Sequence, residues 1–162
     1  MRKNNKYVWY ACYGSNISKR RFMRYINKCE DQTEPVESRP YEFNHNIFFA
    51  KSSSIWENGA VAFLDADHKG RAYGRIYKIT LEQFIEVQAM EGEKYQRKLE
   101  FDAVDDLPVY SFTDIEPKGV TGIPSKAYFD EILLGLNECY KGIYTPEEME
   151  DYLNQVIKKD SE

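Results

Sequence analysis

Two short stretches of this sequence carry residue types and spacings that can do chemistry. The first is Tyr13-Gly14-Ser15-Asn16, which follows the strand-forming run Tyr7-Val8-Trp9-Tyr10-Ala11-Cys12 without a break. A strand that ends in a glycine turn and restarts as a helix leaves unpaired N–H groups at the helix start, where the dipole favours negative charge. Gly14 adds no side chain to block a ligand, and Ser15 and Asn16 add hydrogen-bonding capacity. Such a cradle takes a carboxylate as readily as a phosphate. With one glycine and no following Gly-Lys-Ser/Thr, the turn matches neither a P-loop nor a dinucleotide fingerprint. By pattern alone, a plain strand-to-helix corner explains it equally well.

The second stretch is Met90-Glu91-Gly92-Glu93, at the end of an apolar-periodic segment. A carboxylate in the last turn of a helix meets the partly negative helix end. That field raises its pKa, and burial raises it further. A carboxylate tuned upward suits a general base near neutral pH. Glu93 is expected to push Glu91 the same way by like charge. The alternative is a pair of solvated surface glutamates, the usual place for this residue. Tyr128 reads either as a packed core tyrosine or as a hydroxyl in a pocket. The basic run Lys19, Arg20, Arg21, Arg24 and Lys28 reads as a solvated helix face, or as an attractor for an acidic substrate tail.

Other chemistries have little to draw on. The two histidines, His45 and His68, are isolated, which leaves Ser-His-Asp and Cys-His mechanisms without a base. Cys12, Cys29 and Cys139 are widely spaced, so neither a disulfide framework nor a zinc site is expected. An acid–base group here should be a carboxylate. The net charge of −5 disfavours broad binding to nucleic acid or anionic membranes. No apolar run approaches the roughly 20 residues of a membrane span. The first ten residues lack a signal-peptide core, so a cytoplasmic location is expected.

Elements able to position these groups follow from the patterning. The 162 residues suit one domain with a real core, and 13 tyrosines suit a half-polar pocket. A strand over about 6–12 is predicted, then a helix to about Asn27 capped by Asn16 or Ser18. Polar residues 29–40 read as a loop. Strands are predicted in "YEFNHNIFFAK", "GAVAFLDA" and "RAYGRIYKI", and the small face of the last can lie against another backbone. Thr80 and Gln83 make a capping box for a helix that Gly92 stops. Strands in "YQRKLEF" and "PVYSFTD" follow, then a helix capped by Ser125. A second capping box at Thr145 to Glu148 starts a last helix over about 146–158. The order β-α-β-β-β-α-β-β-α-α lacks the alternation of a doubly wound sheet. It predicts an α+β fold, a small mixed β-barrel with peripheral helices, in a single domain over 1–162 with its core at about 7–140.

Taken together, Tyr10-Ala11-Cys12-Tyr13-Gly14-Ser15-Asn16-Ile17, "WENGAVAF", "AYGRIYKI", "MEGEKYQR" and "PSKAYFDEILLG" resemble the gamma-glutamylcyclotransferase family. The likeness spans roughly Tyr7 to Gly135. Its specificity comes from Tyr-Gly-Ser-Asn followed about 75 residues later by Glu-Gly-x-x-Tyr-x-Arg. The resemblance implies a small mixed β-barrel enzyme, an amine-releasing lyase or acyltransferase. Such an enzyme cyclises a gamma-glutamyl group to 5-oxoproline and frees the attached amine or amino acid, with no cofactor or metal. It implies that Tyr10, Ala11, Cys12, Tyr13, Gly14, Ser15 and Asn16 hold the glutamyl carboxylate, that Glu91 is the catalytic residue and that Tyr128 is a pocket tyrosine. The implied partner is a small gamma-glutamyl or other acidic ligand. Cys12 stands where the family carries a small residue, so its thiol either narrows the pocket or packs into the core. The second reading is a non-catalytic module on the same fold that binds a small acid.

Overall fold

The computed structural model describes residues 6–114 and 121–160. Its centre is strand β1 (Tyr7–Cys12), from Val8 onward buried along its whole length. β1 pairs antiparallel with β5 (Ala72–Thr80), with Tyr7 opposite Thr80 and Cys12 opposite Arg75. On its other side it runs parallel to β7 (Leu107–Thr113). β2 (Glu37–Phe43) and β6 (Arg97–Val104) complete a five-stranded sheet of order β2-β5-β1-β7-β6. A central strand covered on both faces reads as a continuous apolar run, as "YVWYAC" does.

β3 (Ile47–Ser53) and β4 (Gly59–Leu64) form a separate antiparallel ribbon. The predicted α+β class holds, but the sheet is not closed into a barrel. A side chain spans the gap between β4 and β7 in place of a backbone ladder. The Thr113 hydroxyl accepts from the Leu64 N–H at 3.1 Å and donates to the Leu64 carbonyl at 3.0 Å.

Four helices pack around this frame: α1 (Lys19–Ile26), α2 (Leu81–Glu91), α3 (Lys126–Cys139) and α4 (Pro146–Asp160). Both expected capping boxes form, with Thr80 and Gln83 exchanging bonds of 3.0 Å and Thr145 and Glu148 exchanging bonds of 3.0 and 3.2 Å. Ser125 caps α3.

Three local readings change. "YEFNHNIFFAK" is two strands, broken after Phe43. Residues 37–40, read as loop, begin the edge strand β2, where Pro40 is tolerated because one side of the strand has no partner. The turn after β1 leads into a 3₁₀ segment, Ser15–Ile17, and α1 starts only at Lys19.

Gly74 shows why β5 carries a small face. A Cβ there would lie 2.3 Å from the Cys12 carbonyl oxygen, so only glycine lets β1 and β5 pair at this point.

Candidate active site

Geometry brings the two stretches together. β5 ends at Thr80, level with the start of β1, and α2 then runs back alongside β1. Eleven helical residues rise about 16 Å, and six extended residues span about 20 Å. The last residue of α2, Glu91, therefore arrives beside the turn that follows Cys12. Its starting point is fixed by the Thr80 capping box and by Gln83 Nε2, which donates to the carbonyls of Asp31 and Thr33 at 2.9 and 3.0 Å. Gly92, with φ of +80°, stops the helix there.

Asn16 makes the contact. Its Nδ2 donates to Glu91 Oε1 at 3.1 Å and to the Tyr10 hydroxyl at 3.0 Å. Its Oδ1 is buried with no hydrogen-bond partner. The Asn16 backbone is held from β5: the Tyr77 hydroxyl donates to the carbonyls of Asn16 and Ile17 at 2.9 and 3.1 Å, and Arg75 donates to Ile17 at 2.9 Å. From the other side, Gly135 of α3 packs directly on the turn, where a Cβ would come within 2.3 Å of the Ser18 nitrogen. The first N–H groups of the turn, on Ser15 and Asn16, precede any carbonyl of the 3₁₀ segment that could accept them.

A cavity of about 430 Å³ opens between the turn and Glu91. Tyr10, Cys12, Tyr13, Gly14, Ser15, Asn16, Glu91 and Tyr128 all line it. Of the site residues implied by the resemblance, Ala11 alone does not; it is fully buried in the sheet, and of the basic run only Arg21 reaches the cavity.

The Tyr128 hydroxyl accepts the Ala62 N–H at 2.9 Å, which leaves its own proton free to donate. It also lies over Gly14, where a Cβ would meet it at 3.0 Å. Gly14 has φ of −119°, so proximity to Tyr128, not a left-handed backbone, requires the glycine. Cys12 resolves toward packing: its thiol faces the Arg75 carbonyl at 3.3 Å. Ser18 sits at the N-cap of α1 without capping it, because its hydroxyl donates to Glu131 at 2.5 Å.

Burial holds the Glu91 carboxyl above its ordinary pKa; hydrogen bonds from Asn16 and Tyr25 and the charge of Arg21 oppose that rise. The expected push from Glu93 is absent from these causes. The side chain keeps some exposure, and it lines the cavity. Tyr25, which bonds Glu91, is itself pushed up to about 12 by burial and then by the Glu91 charge.

Arg21, Tyr25, Trp56, Lys94 and Tyr95 also line the cavity; of these the sequence offers only Arg21, within the basic run, as a contact for an acidic substrate tail. The signal for Trp56 and Tyr95 was present in "WENGAVAF" and "MEGEKYQR". Nothing local distinguished Arg21 from its basic neighbours. The histidines lie apart from the cavity and next to each other, His45 Nδ1 being 2.8 Å from the His68 carbonyl oxygen. Among the described residues, no three His, Cys, Asp or Glu side chains gather as metal ligands, and no helix is long and apolar enough to cross a membrane.

The fold has counterparts among solved structures. A gamma-glutamyl cyclotransferase superposes with a TM-score of 0.67 over 94% of this chain and 99% of its own, at 15% identity. The chain has the gamma-glutamyl cyclotransferase fold. An uncharacterized human protein superposes with a TM-score of 0.66 over 89% of this chain and 86% of its own, at 17% identity. At these identities the cyclotransferase fold is what the likeness establishes.

No family model matches the chain. A segment of 100 residues is 36% identical to Arabidopsis thaliana histone deacetylase 5, covering 52% of this chain. The chain spans about 15% of that protein's length. Within the cyclotransferase fold, the cavity lies where β1 runs out into its turn and α2 ends.

Proposed function

We propose that this protein is a gamma-glutamylcyclotransferase-like enzyme, cyclising a gamma-glutamyl group to 5-oxoproline and releasing an amine or amino acid. The observation that carries the reading is the bond from Asn16 to Glu91, which joins a carboxylate of raised pKa to the glycine turn inside one cavity.

The chemistry is a proton relay. The substrate's α-ammonium must lose a proton before its nitrogen attacks the γ-carbonyl carbon. Glu91, ionised, accepts that proton. A C–N bond closes the five-membered lactam, and the tetrahedral oxyanion forms. The attacking nitrogen gives up its second proton in the tetrahedral intermediate. Collapse breaks the original amide C–N bond, Glu91 passes one proton to the departing nitrogen, and the freed amine takes up the other and leaves as an ammonium. No water, cofactor or electron acceptor enters the balance.

The remaining residues bind and orient. Free N–H groups of the Ser15–Asn16 turn suit the glutamyl carboxylate, and the free Tyr128 proton adds a donor across the cavity from Glu91. Holding amine and carbonyl in contact contributes several kcal/mol of the lowering of the barrier.

A non-catalytic binder of small acids would use the same cradle but has no need of a buried carboxylate with a raised pKa. A panel of gamma-glutamyl amino acids, peptides and amines, assayed for 5-oxoproline, separates the two. Release from at least one compound is expected. Ligand binding without release from any of them would favour the binding module.

A further inference from the structure

The mouth of the cavity carries a cation with no carboxylate of its own. Arg21 leaves α1 and lays its guanidinium over the Trp56 ring, 4.9 Å from its centre, and over Tyr25 at 5.7 Å. Its Nε is buried and has no hydrogen-bond partner.

Five other described arginines are paired; Arg24 is not, but it is exposed on α1 and does not line the cavity. Arg20, Arg39, Arg71, Arg75 and Arg97 each have a carboxylate oxygen within salt-bridge distance. Arg21 has none among the described residues, although it lies close enough to Glu91 to lower that group's pKa. Of the other charged residues lining the cavity, Lys94 already donates to the Ser52 carbonyl, and Glu93 is exposed and makes no ion pair with Arg21.

A guanidinium stacked on aromatic faces has lost water from those faces and is fixed in its plane. Its edge remains available for two parallel bonds to a carboxylate. Ile55, adjoining Trp56, is 70% exposed, so this wall faces the entrance. Asn16 of the glycine turn and Tyr25, over whose ring Arg21 lies, both bond Glu91, so turn, carboxylate and guanidinium share one cavity. With the glutamyl end in the turn and the amide at Glu91, the leaving group would come within reach of Arg21.

We propose that Arg21 is a specificity-determining residue that binds a carboxylate on the leaving group. The enzyme would therefore favour gamma-glutamyl amino acids and peptides over gamma-glutamyl amines that lack one. This inference rests on the function proposed above.

Gamma-glutamylglycine and gamma-glutamylmethylamide differ only in that carboxylate. Affinities for both are measured by calorimetry in a Glu91→Gln background, which removes turnover. Gamma-glutamylglycine should bind about 10- to 100-fold more tightly, the effect of one charge-assisted pairing. Adding Arg21→Gln should bring that ratio close to one, and adding Arg21→Lys should leave it between the two. The wild-type kcat/KM ratio for the same pair, expected at tenfold or more, tests the claim without any substitution at position 21.

A wild-type ratio below about threefold, or an Arg21→Gln change that weakens both ligands equally, overturns the assignment of Arg21 and leaves the cyclotransferase reading standing. Failure to bind or turn over either compound overturns both.

Discussion

Glu91 and Tyr128 each carry a prediction at the scale of individual hydrogen bonds. A Tyr128→Phe substitution keeps the ring against Trp56, 4.9 Å away between centroids, but strands the Ala62 N–H. An unsatisfied buried donor costs about 1–3 kcal/mol, so the melting temperature should drop and ligand affinity should fall with it. A variant as stable as wild type would show that water replaces the hydroxyl.

Glu91 predicts the opposite sign for stability. Its folded pKa is raised, so the folded state binds its proton more tightly than the unfolded chain does. Below the unfolded value both states are protonated and there is no penalty. As pH rises through the folded value, ionisation costs the folded state more. Glu91→Gln should therefore raise the melting temperature at pH 7, and the gain should shrink as pH falls toward the ordinary glutamate range. A Glu91→Gln protein that melts lower than wild type at pH 7 would contradict the raised pKa.

Helices and turns set where those residues stand. α2 reaches the turn because its start is locked by the Thr80 capping box and its length matches β1. α3 holds the turn from outside through Gly135, which has no room for a methyl group against the Ser18 backbone. Gly135→Ala must move α3 or the turn, since a backbone atom at 2.3 Å cannot yield by rotation. A loss of about 1–3 kcal/mol is expected, with a loss of ligand affinity that Gly142→Ala, which meets open space, should not share. Equal effects of the two substitutions on affinity would argue against a role for Gly135 in placing the turn.

Most of these elements could be read from the sequence because their signals are local. Capping boxes, the Gly92 stop and the apolar run of β1 need only neighbouring residues. The first part of β2, residues 37–40, was hidden because an edge strand with exposed residues has no apolar alternation to show. The break after Phe43 was hidden for the converse reason: two apolar stretches flank a turn too short to stand out. The carboxylate and its turn were legible only through their joint spacing. Arg21 and Tyr25 lie on one face of α1, and only the distant Trp56 and Glu91 make that face part of a pocket.

At the scale of the whole molecule, an open five-stranded sheet and a separate β3–β4 ribbon enclose one cavity between them. Side chains close the seams that backbone ladders leave. Thr113 bridges β4 to β7, the Tyr95 hydroxyl donates to Ala62 at 2.9 Å, and the Tyr13 hydroxyl donates to Phe112 at 2.9 Å. Tyrosine suits this construction: the rings of Tyr13, Tyr77, Tyr95 and Tyr140 fill core volume while their hydroxyls donate to backbone carbonyls.

The central claim is that this cavity moves a proton through Glu91. It is tested most directly by incubating wild-type protein and Glu91→Gln with a gamma-glutamyl compound that the wild type turns over, and measuring 5-oxoproline. The account predicts release by wild type, loss of at least about 100-fold in kcat for Glu91→Gln, and ligand affinity within a few-fold of wild type. A folded Glu91→Gln protein that still releases 5-oxoproline at the wild-type rate would contradict it.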